Sequence, residues 1–185
     1  NTQGLNRFDK NTGKFKHYKH DPDNENSLRG AGGYALLVDN AGFVWVGTEN
    51  GVLSRLDPAT HTFTHYSHDP NKSNSLPKGF LTTIYQDAGG IFWIGSEGGG
   101  LTRFEYESET FTNYKNDPDD PFSLSGNRIN VILEDGNDNL WIGTATAGLN
   151  KFDRKTGKCI HYRHDPDDPT SISNRMLTCP LPIFS

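Results

Sequence analysis

Three short stretches of this chain share one pattern: FVWVGT at 43–48, IFWIGS at 91–96 and NLWIGT at 139–144. Their tryptophans, Trp45, Trp93 and Trp141, stand 48 residues apart both times. A fixed period of roughly 20–50 residues marks a repeat architecture, in which each unit is one supersecondary element that stacks on its neighbours. The register holds elsewhere. Leu5, Leu53, Leu101 and Leu149 share one slot, and Tyr18, Tyr66, Tyr114 and Tyr162 another. HDP recurs at His20, His68 and His164, with NDP at Asn116; SL at Ser27, Ser75 and Ser123 becomes SI at Ser171. No insertion breaks the period, although surface loops tolerate insertions well, so the units read as recent duplicates.

Each unit reads as four short strands. TTIYQ at 82–86 is β-branched and aromatic, as a buried strand requires. DAGG follows as a turn, with sisters DNAG and DGND. IFWIGS ends in glycine and EGG turns again. LTRFE and TFTNY alternate apolar and polar residues as half-buried strands do, joined by YESE; its sisters DKNTG and DRKTG carry a glycine suited to a bulged hairpin. A longer polar loop such as KNDPDDPFSLSGN leads to the next unit, and no window has helical periodicity. Four antiparallel strands at this period describe a β-propeller blade. One blade cannot bury both faces, so stacking must do it. The repeated aromatics then fill the space between sheets, while Gly47, Gly95 and Gly143 let inner backbones approach.

The composition fits a thin, distributed core. Only 32% of the 185 residues are hydrophobic and the mean hydropathy is −0.71, so aromatics are the main core material. Twenty glycines and ten prolines require many turns. A net charge of −5 argues against a nucleic-acid partner, which wants a basic face. No apolar run approaches the roughly 20 residues of a membrane span. Cys159 and Cys179 are too few for a disulfide framework; Cys159 occupies the slot of Phe15, Phe63 and Phe111 and reads as a small buried hydrophobe. The first residue is Asn and no leader is visible, which suits a piece of something longer.

The reading is therefore an all-β chain, a β-propeller fragment of about three and a half four-stranded blades with 48-residue repeats. Its expected boundaries are a half blade at 1–28, blades at about 29–76, 77–124 and 125–172, and a degenerate tail at 173–185. In that tail NRMLT at 174–178 resembles a damaged first strand, and Pro180 and Pro182 oppose a central strand. An open fan leaves two exposed edges, a hazard for association, so pairing of two copies through the open blades is expected.

The string SLSGNRINVILEDGNDNLWIGTATAGLNKFDRKTGKCIHYRHDP, from Ser123 to Pro166, resembles the two-component regulator propeller repeat. That pattern runs serine–leucine, an apolar strand, aspartate and glycine, then LWIGT, GLN+FD and an aromatic pair, and the likeness extends along all but the last eight residues. The resemblance implies a ligand-sensing or recognition module of a bacterial signalling receptor, on the periplasmic or extracellular side of a membrane and coupled to a histidine kinase or similar output. It implies an oligosaccharide or other small molecule as ligand. The kinase, the membrane helix and the β-sandwich that usually follow such propellers are not in this sequence. A structural or protein-interaction propeller is the alternative.

No residue type here points to catalysis. HxxHDP, as at His17–Pro22, invites a metal reading, but a site needs three or four converging ligands and each copy sits on a different blade. Asp21, Asp69, Asp117 and Asp165 read instead as Asx-type turns before proline, with the histidine capping a strand end. NDPDDP at 116–121 lacks the glycine and final glutamate of a calcium loop. DKNTGK and DRKTGK resemble a quinoprotein turn, yet FKHY and CIHY follow where a tryptophan belongs. Glu107 and Glu109 lie on a hairpin tip. No catalytic residue, metal site or cofactor is assigned. A ligand site should break the repeat, and the breaks to inspect are Arg29, Lys78 and Ser125; Tyr34, Thr82 and Asn130; and Glu49, Glu97 and Ala145. The face carrying the last-to-first and second-to-third strand connections is the default binding surface, with no individual residue assigned.

Overall fold

The computed structural model describes residues 4–30, 32–174 and 176. Among them all regular structure is β. A two-stranded sheet pairs β1 (Leu5–Asp9) with β2 (Lys14–Tyr18). Three four-stranded antiparallel sheets follow in simple meander order. The first contains β3 (Gly33–Val38), β4 (Val44–Thr48), β5 (Leu53–Leu56) and β6 (Phe63–Tyr66). The second contains β7 (Leu81–Gln86), β8 (Phe92–Ser96), β9 (Gly100–Glu105) and β10 (Thr110–Tyr114). The third contains β11 (Ile129–Glu134), β12 (Leu140–Thr144), β13 (Leu149–Phe152) and β14 (Cys159–Tyr162). These are propeller blades, as the period predicts. The strand expected at 82–86 starts one residue earlier and is bulged between Leu81 and Thr83, as its sisters are at Gly33/Ala35 and Ile129/Val131. The expected strand at 174–178 falls mostly, and the proline-bearing tail wholly, outside the described residues.

Local chemistry sets each corner. Between first and second strands, Asp39, Asp87 and Asp135 each accept two backbone amides of their own turn on Oδ1, from residues two and four positions on. The Oδ2 atom takes the indole Nε1–H of Trp45, Trp93 or Trp141 at 2.7, 2.9 and 2.8 Å. One aspartate thus folds the turn and fixes the tryptophan rotamer. Between third and fourth strands, one slot has left-handed backbone in all four units: Gly13 (φ 68), His61 (φ 63), Glu109 (φ 50) and Gly157 (φ 72). Two units place there the residue best suited to it and two do not.

The sheets stack face to face. Trp45, Leu53 and Leu76 pack against Leu81, Ile84, Phe92, Ile94 and Phe104 of the next sheet. The same slots one unit on, Trp93, Leu101 and Leu124, pack against Ile129, Ile132, Leu140, Ile142 and Phe152. Trp45 and Trp93 are 0% and 1% exposed, so they are seam packing. Gly95 has no room for a side chain: a Cβ there would lie 2.7 Å from Ile129 Cγ2 and 2.6 Å from Thr83 Cγ2. The missing methyl is what lets the first strand of the next blade come close.

The long polar loops cover the outer edge of the following sheet. Asn26 O accepts from Phe63 N and Phe122 O from Cys159 N, at the starts of β6 and β14. Asn113 Nδ2 donates to Ser75 O on β10's sheet at 2.9 Å, and His161 Nε2 meets Ser123 O at 2.7 Å on β14's. Each of the three loops thus tethers the outermost strand of its four-stranded sheet at one or two points. The two terminal faces are different. Phe8 and Phe15 are 50% and 59% exposed, whereas their slot-mates Phe104 and Phe111 are 0% and 8% exposed. At the other end Trp141 and Leu149 are only half-buried. Within the described residues no further sheet covers either face.

Candidate functional site

The residues that break the repeat on the loop face differ in what they hold. Thr82 Oγ1 donates to Ile129 O at 2.5 Å, joining the first strands of two blades. Ser125 is clamped by buried Asn150: its N–H donates to Asn150 Oδ1 at 2.8 Å, and Asn150 Nδ2 donates to its Oγ at 2.9 Å. Ala145 is buried and its N–H donates to Arg128 O. Glu97 bridges Arg128 of the next blade in a one-pair antiparallel contact, with an Arg128 Nη1–Glu97 Oε1 ion pair at 3.5 Å. Arg29 and Lys78 are exposed, and Glu49 and Asn130 are half-buried; Tyr34 lies on β3. The structure brings Glu97, Arg128 and Asn127 together, where Asn127 O accepts from Gly98 and Gly100 N–H. It does not gather the exposed Arg29 and Lys78 with them into one cluster of hydrogen bonds or ion pairs.

The HDP loops are scaffolding. His20, His68 and His164 place Nδ1 3.0, 2.9 and 2.8 Å from the carbonyls of Leu28, Leu76 and Ile172. A carbonyl only accepts, so Nδ1 carries the proton in each. Asn116 does the same through Nδ2, 2.7 Å from Leu124 O. The histidine closes its own loop rather than capping a strand, and asparagine serves because only a donor is needed. The following aspartates form the expected Asx turns, Asp21 Oδ1 accepting from Asp23 N at 3.1 Å, with Ser27 Oγ tying the loop across Asp21. Among the described residues no group of three or more His, Cys, Asp or Glu is placed to hold a metal ion. Glu107 and Glu109 are exposed on their hairpin.

Two polar locks lie at the opposite end of the strands, and sequence reasoning missed both. At the second seam Arg154 Nη1 lies 3.3 Å from Asp87 Oδ2, and Nη2 lies 2.5 Å from Glu134 Oε1. Tyr85 OH donates to Glu134 Oε2 at 2.7 Å. This hydroxyl bond and the Arg154 guanidinium hold the Glu134 carboxyl below its ordinary range, while burial and that same bond push the Tyr85 phenol up to about 12. At the first seam the slot of Arg154 is Tyr106, and the lock is made from the other side. The Arg55 guanidinium carbon lies 3.4 Å from the Phe43 ring centroid and 4.5 Å from that of Tyr106, a stacked cation–π arrangement. The signal was available: Tyr85, Glu134 and Arg154 each differ in charge or hydrogen bonding from their slot-mates, such as Leu37, Gln86 and Tyr106.

No helix among the described residues is long and apolar enough to cross a membrane. Residues 123–146 match the two component regulator propeller family. No curated protein matches the chain. Among solved structures it is similar to the extracellular domain of a hybrid two component system from Bacteroides thetaiotaomicron, at 29% identity and a TM-score of 0.64, over 73% of this chain and 19% of that one. A second such domain from the same organism aligns over 95% of this chain and 22% of its own, with a TM-score of 0.74 at 23% identity, a likeness of fold. PorZ, a surface component of the type-IX secretion system of Porphyromonas gingivalis, aligns at 26% identity and a TM-score of 0.54, over 71% of this chain and 18% of its own. The chain thus spans less than a quarter of the length of these three proteins. The family match covers the loop into the third four-stranded sheet and that sheet's first two strands, and the 48-residue register repeats similar sequence in the two sheets before it.

Proposed function

We propose that this chain is part of the extracellular or periplasmic sensing half of a bacterial two-component-type receptor, a non-enzymatic module that recognises a small ligand, with an oligosaccharide as the expected class. The observation that supports this most is the coincidence of the family repeat with 29% identity to the extracellular domain of a hybrid two component system. The geometry is in keeping with it. The histidines of the HDP loops are used in holding backbone carbonyls, and Glu97 and Arg128, brought together on the loop face, are a surface pair suited to contact rather than to proton transfer.

Thermal-shift screening against an oligosaccharide panel tests this reading. A ligand that binds only the folded chain raises the melting temperature with its concentration. A concentration-dependent rise with one glycan class supports the reading; flat responses throughout remove the oligosaccharide. A second reading, an interaction propeller without a small ligand, draws on the similarity to PorZ, a secretion-system surface component. It predicts no thermal shift with any sugar.

A further inference from the structure

The loops that follow β2, β6, β10 and β14, at 21–30, 69–78, 117–126 and 165–174, share one scaffold. In each, the serine hydroxyl of the SL or SI step accepts the amide N–H of the leading aspartate, at 2.8 to 3.0 Å. Their charges do not repeat. The first, third and fourth loops carry three acidic residues each, with Arg29 the only cation among them. The second carries Asp69 alone, together with Lys72 and Lys78. Lys72 stands where the sister loops have Asn24, Asp120 and Asp168, and Lys78 where they have Gly30, Gly126 and Asn174. In a chain of net charge −5, one loop has reversed its sign.

The reversed loop borders a pocket of about 720 Å³ on the loop face, shared with Asn113 and Lys115 at the end of β10 and with Gly98 of the β8–β9 turn. Lys72, Lys78 and Lys115 line it, all exposed, and Asp69 is its only carboxylate. Lys72 Nζ lies 3.8 Å from Asp69 Oδ2, so at most one of the three cations is answered. Asn71 and Ser73 add an amide and a hydroxyl to the lining. Gly98 stands where the sister slots hold Asn50 and Thr146, and a Cβ there would have nothing within 4 Å. The walls are held in place. His68 Nδ1 donates to Leu76 O at 2.9 Å, Asn113 Nδ2 donates to Ser75 O at 2.9 Å, and Asp69 Oδ1 accepts from Asn71 N at 2.9 Å. A pocket fixed in advance loses little conformational freedom when it is filled.

We propose that this pocket binds an acidic sugar unit of an oligosaccharide, its carboxylate or sulfate held by Lys72, Lys78 and Lys115. The excess of positive charge calls for an anion, and a concave site lined by one sign of charge raises the local concentration of its counter-charge. The volume lies in the range of small-ligand sites, and a lone inorganic ion would fill only a small part of it. A ligand whose remaining groups are hydroxyls suits this lining, since the amide, hydroxyl and ammonium groups offer partners to replace lost water. Lysine ammonium groups are mobile point charges rather than a planar fork, so they accept a carboxylate and a sulfate ester alike. The inference deepens the sensing reading and rests on it: it names the charge of the sugar and the blade that would meet it.

The test is NMR titration of the whole chain with trigalacturonate, its fully methyl-esterified neutral form, a sulfated chondroitin disaccharide and inorganic phosphate. Saturable binding of trigalacturonate or the sulfated disaccharide is expected, with shifts at 68–78 and 113–115; which of the two binds tells carboxylate from sulfate. The neutral ester should bind several-fold more weakly, and added salt should narrow the difference. Lys72→Asn and Lys78→Asn, which restore side chains that sister loops carry, lie at exposed positions and should each weaken the acidic sugar several-fold without changing the ester. Lys155→Asn, at the opposite end of the strands, should leave both unchanged. Absence of saturable binding by either acidic sugar at millimolar concentration overturns the proposal. Equal binding of the ester, equal binding of inorganic phosphate, or an equal loss in Lys155→Asn overturns it too. A neutral oligosaccharide that alone raises the melting temperature defeats the acidic class and leaves the sensing reading standing, whereas no response to any glycan removes the oligosaccharide itself.

Discussion

Asp87 Oδ2 accepts the Trp93 indole N–H at 2.9 Å and the Arg154 guanidinium at 3.3 Å, while its Oδ1 accepts the amides of Gly89 and Ile91. One buried carboxylate thus joins a turn, a seam tryptophan and the neighbouring blade. Removing it leaves several donors without a partner in a dry place, and that penalty exceeds the worth of any single bond. Asp87→Ala should destabilise the chain by about 3–5 kcal/mol. Asp39→Ala, which removes the same turn and indole bonds but no ion pair, should cost about 1–3 kcal/mol. Urea unfolding of both variants checks the order; equal losses would mean that Arg154 contributes nothing.

Exchange of donors in the HDP loops should be nearly silent. Asn116→His and His68→Asn each keep a side-chain N–H aimed at the loop carbonyl, and a change within about 0.5 kcal/mol is expected. His68→Ala strands the Leu76 carbonyl in a half-buried loop and should cost about 1 kcal/mol. Melting curves recorded with and without a chelator check this. The histidine reading is wrong if the chelator lowers the melting temperature of the parent chain.

The hairpin slot with left-handed backbone offers a gain. Glu109 has φ 50 and is exposed, with only a 3.5 Å contact from Tyr66 OH. Glu109→Gly should stabilise by about 0.5–1 kcal/mol, since glycine adopts this conformation without the Cβ penalty. Gly95→Ala should do the reverse, because its methyl would meet the Cβ of Ile129 at 2.9 Å; overpacking of this kind costs about 1–3 kcal/mol. Midpoints of chemical unfolding for the two variants should move in opposite directions.

Acid sensitivity follows from two carboxylates. The Tyr85 hydroxyl and Arg154 hold Glu134 below its ordinary range. The Trp141 indole, then Asn139, hold Asp135 below its own. A depressed folded-state pKa contributes stability that is whole above the unfolded-state value and fades as pH falls through the folded one. Stability should be level near neutrality and drop below about pH 4–5. Tyr85→Phe removes the largest cause at Glu134, so its share of the drop should begin at higher pH. An unfolding midpoint that rises on acidification would contradict the assignment.

The Arg55 stack should resist conservative exchange. Arg55→Lys replaces a plane lying on Phe43 and Tyr106 by a point charge, and a loss of about 1 kcal/mol is expected. A double-mutant cycle with Tyr106→Leu checks that the two act together.

The repeat period, the strand count per unit and the role of the tryptophans were legible in the sequence, because a position recurring every 48 residues must meet the same surroundings in each blade. Trp45 and Trp93 are buried in seams for that reason, whereas the histidine expected to cap a strand end closes its own loop as a donor, a role Asn116 shares and only the structure shows. What the sequence could not show was which differing residues meet. Tyr85, Asp87, Glu134 and Arg154 span 70 positions and become one network only when two blades stack, and Arg55 finds Tyr106 only across the other seam. Cys159 is buried as a small replacement for phenylalanine, as its slot implies. Only the stacked sheets decide which side chains meet, because space between blades belongs to pairs of residues from different repeats and not to any position alone.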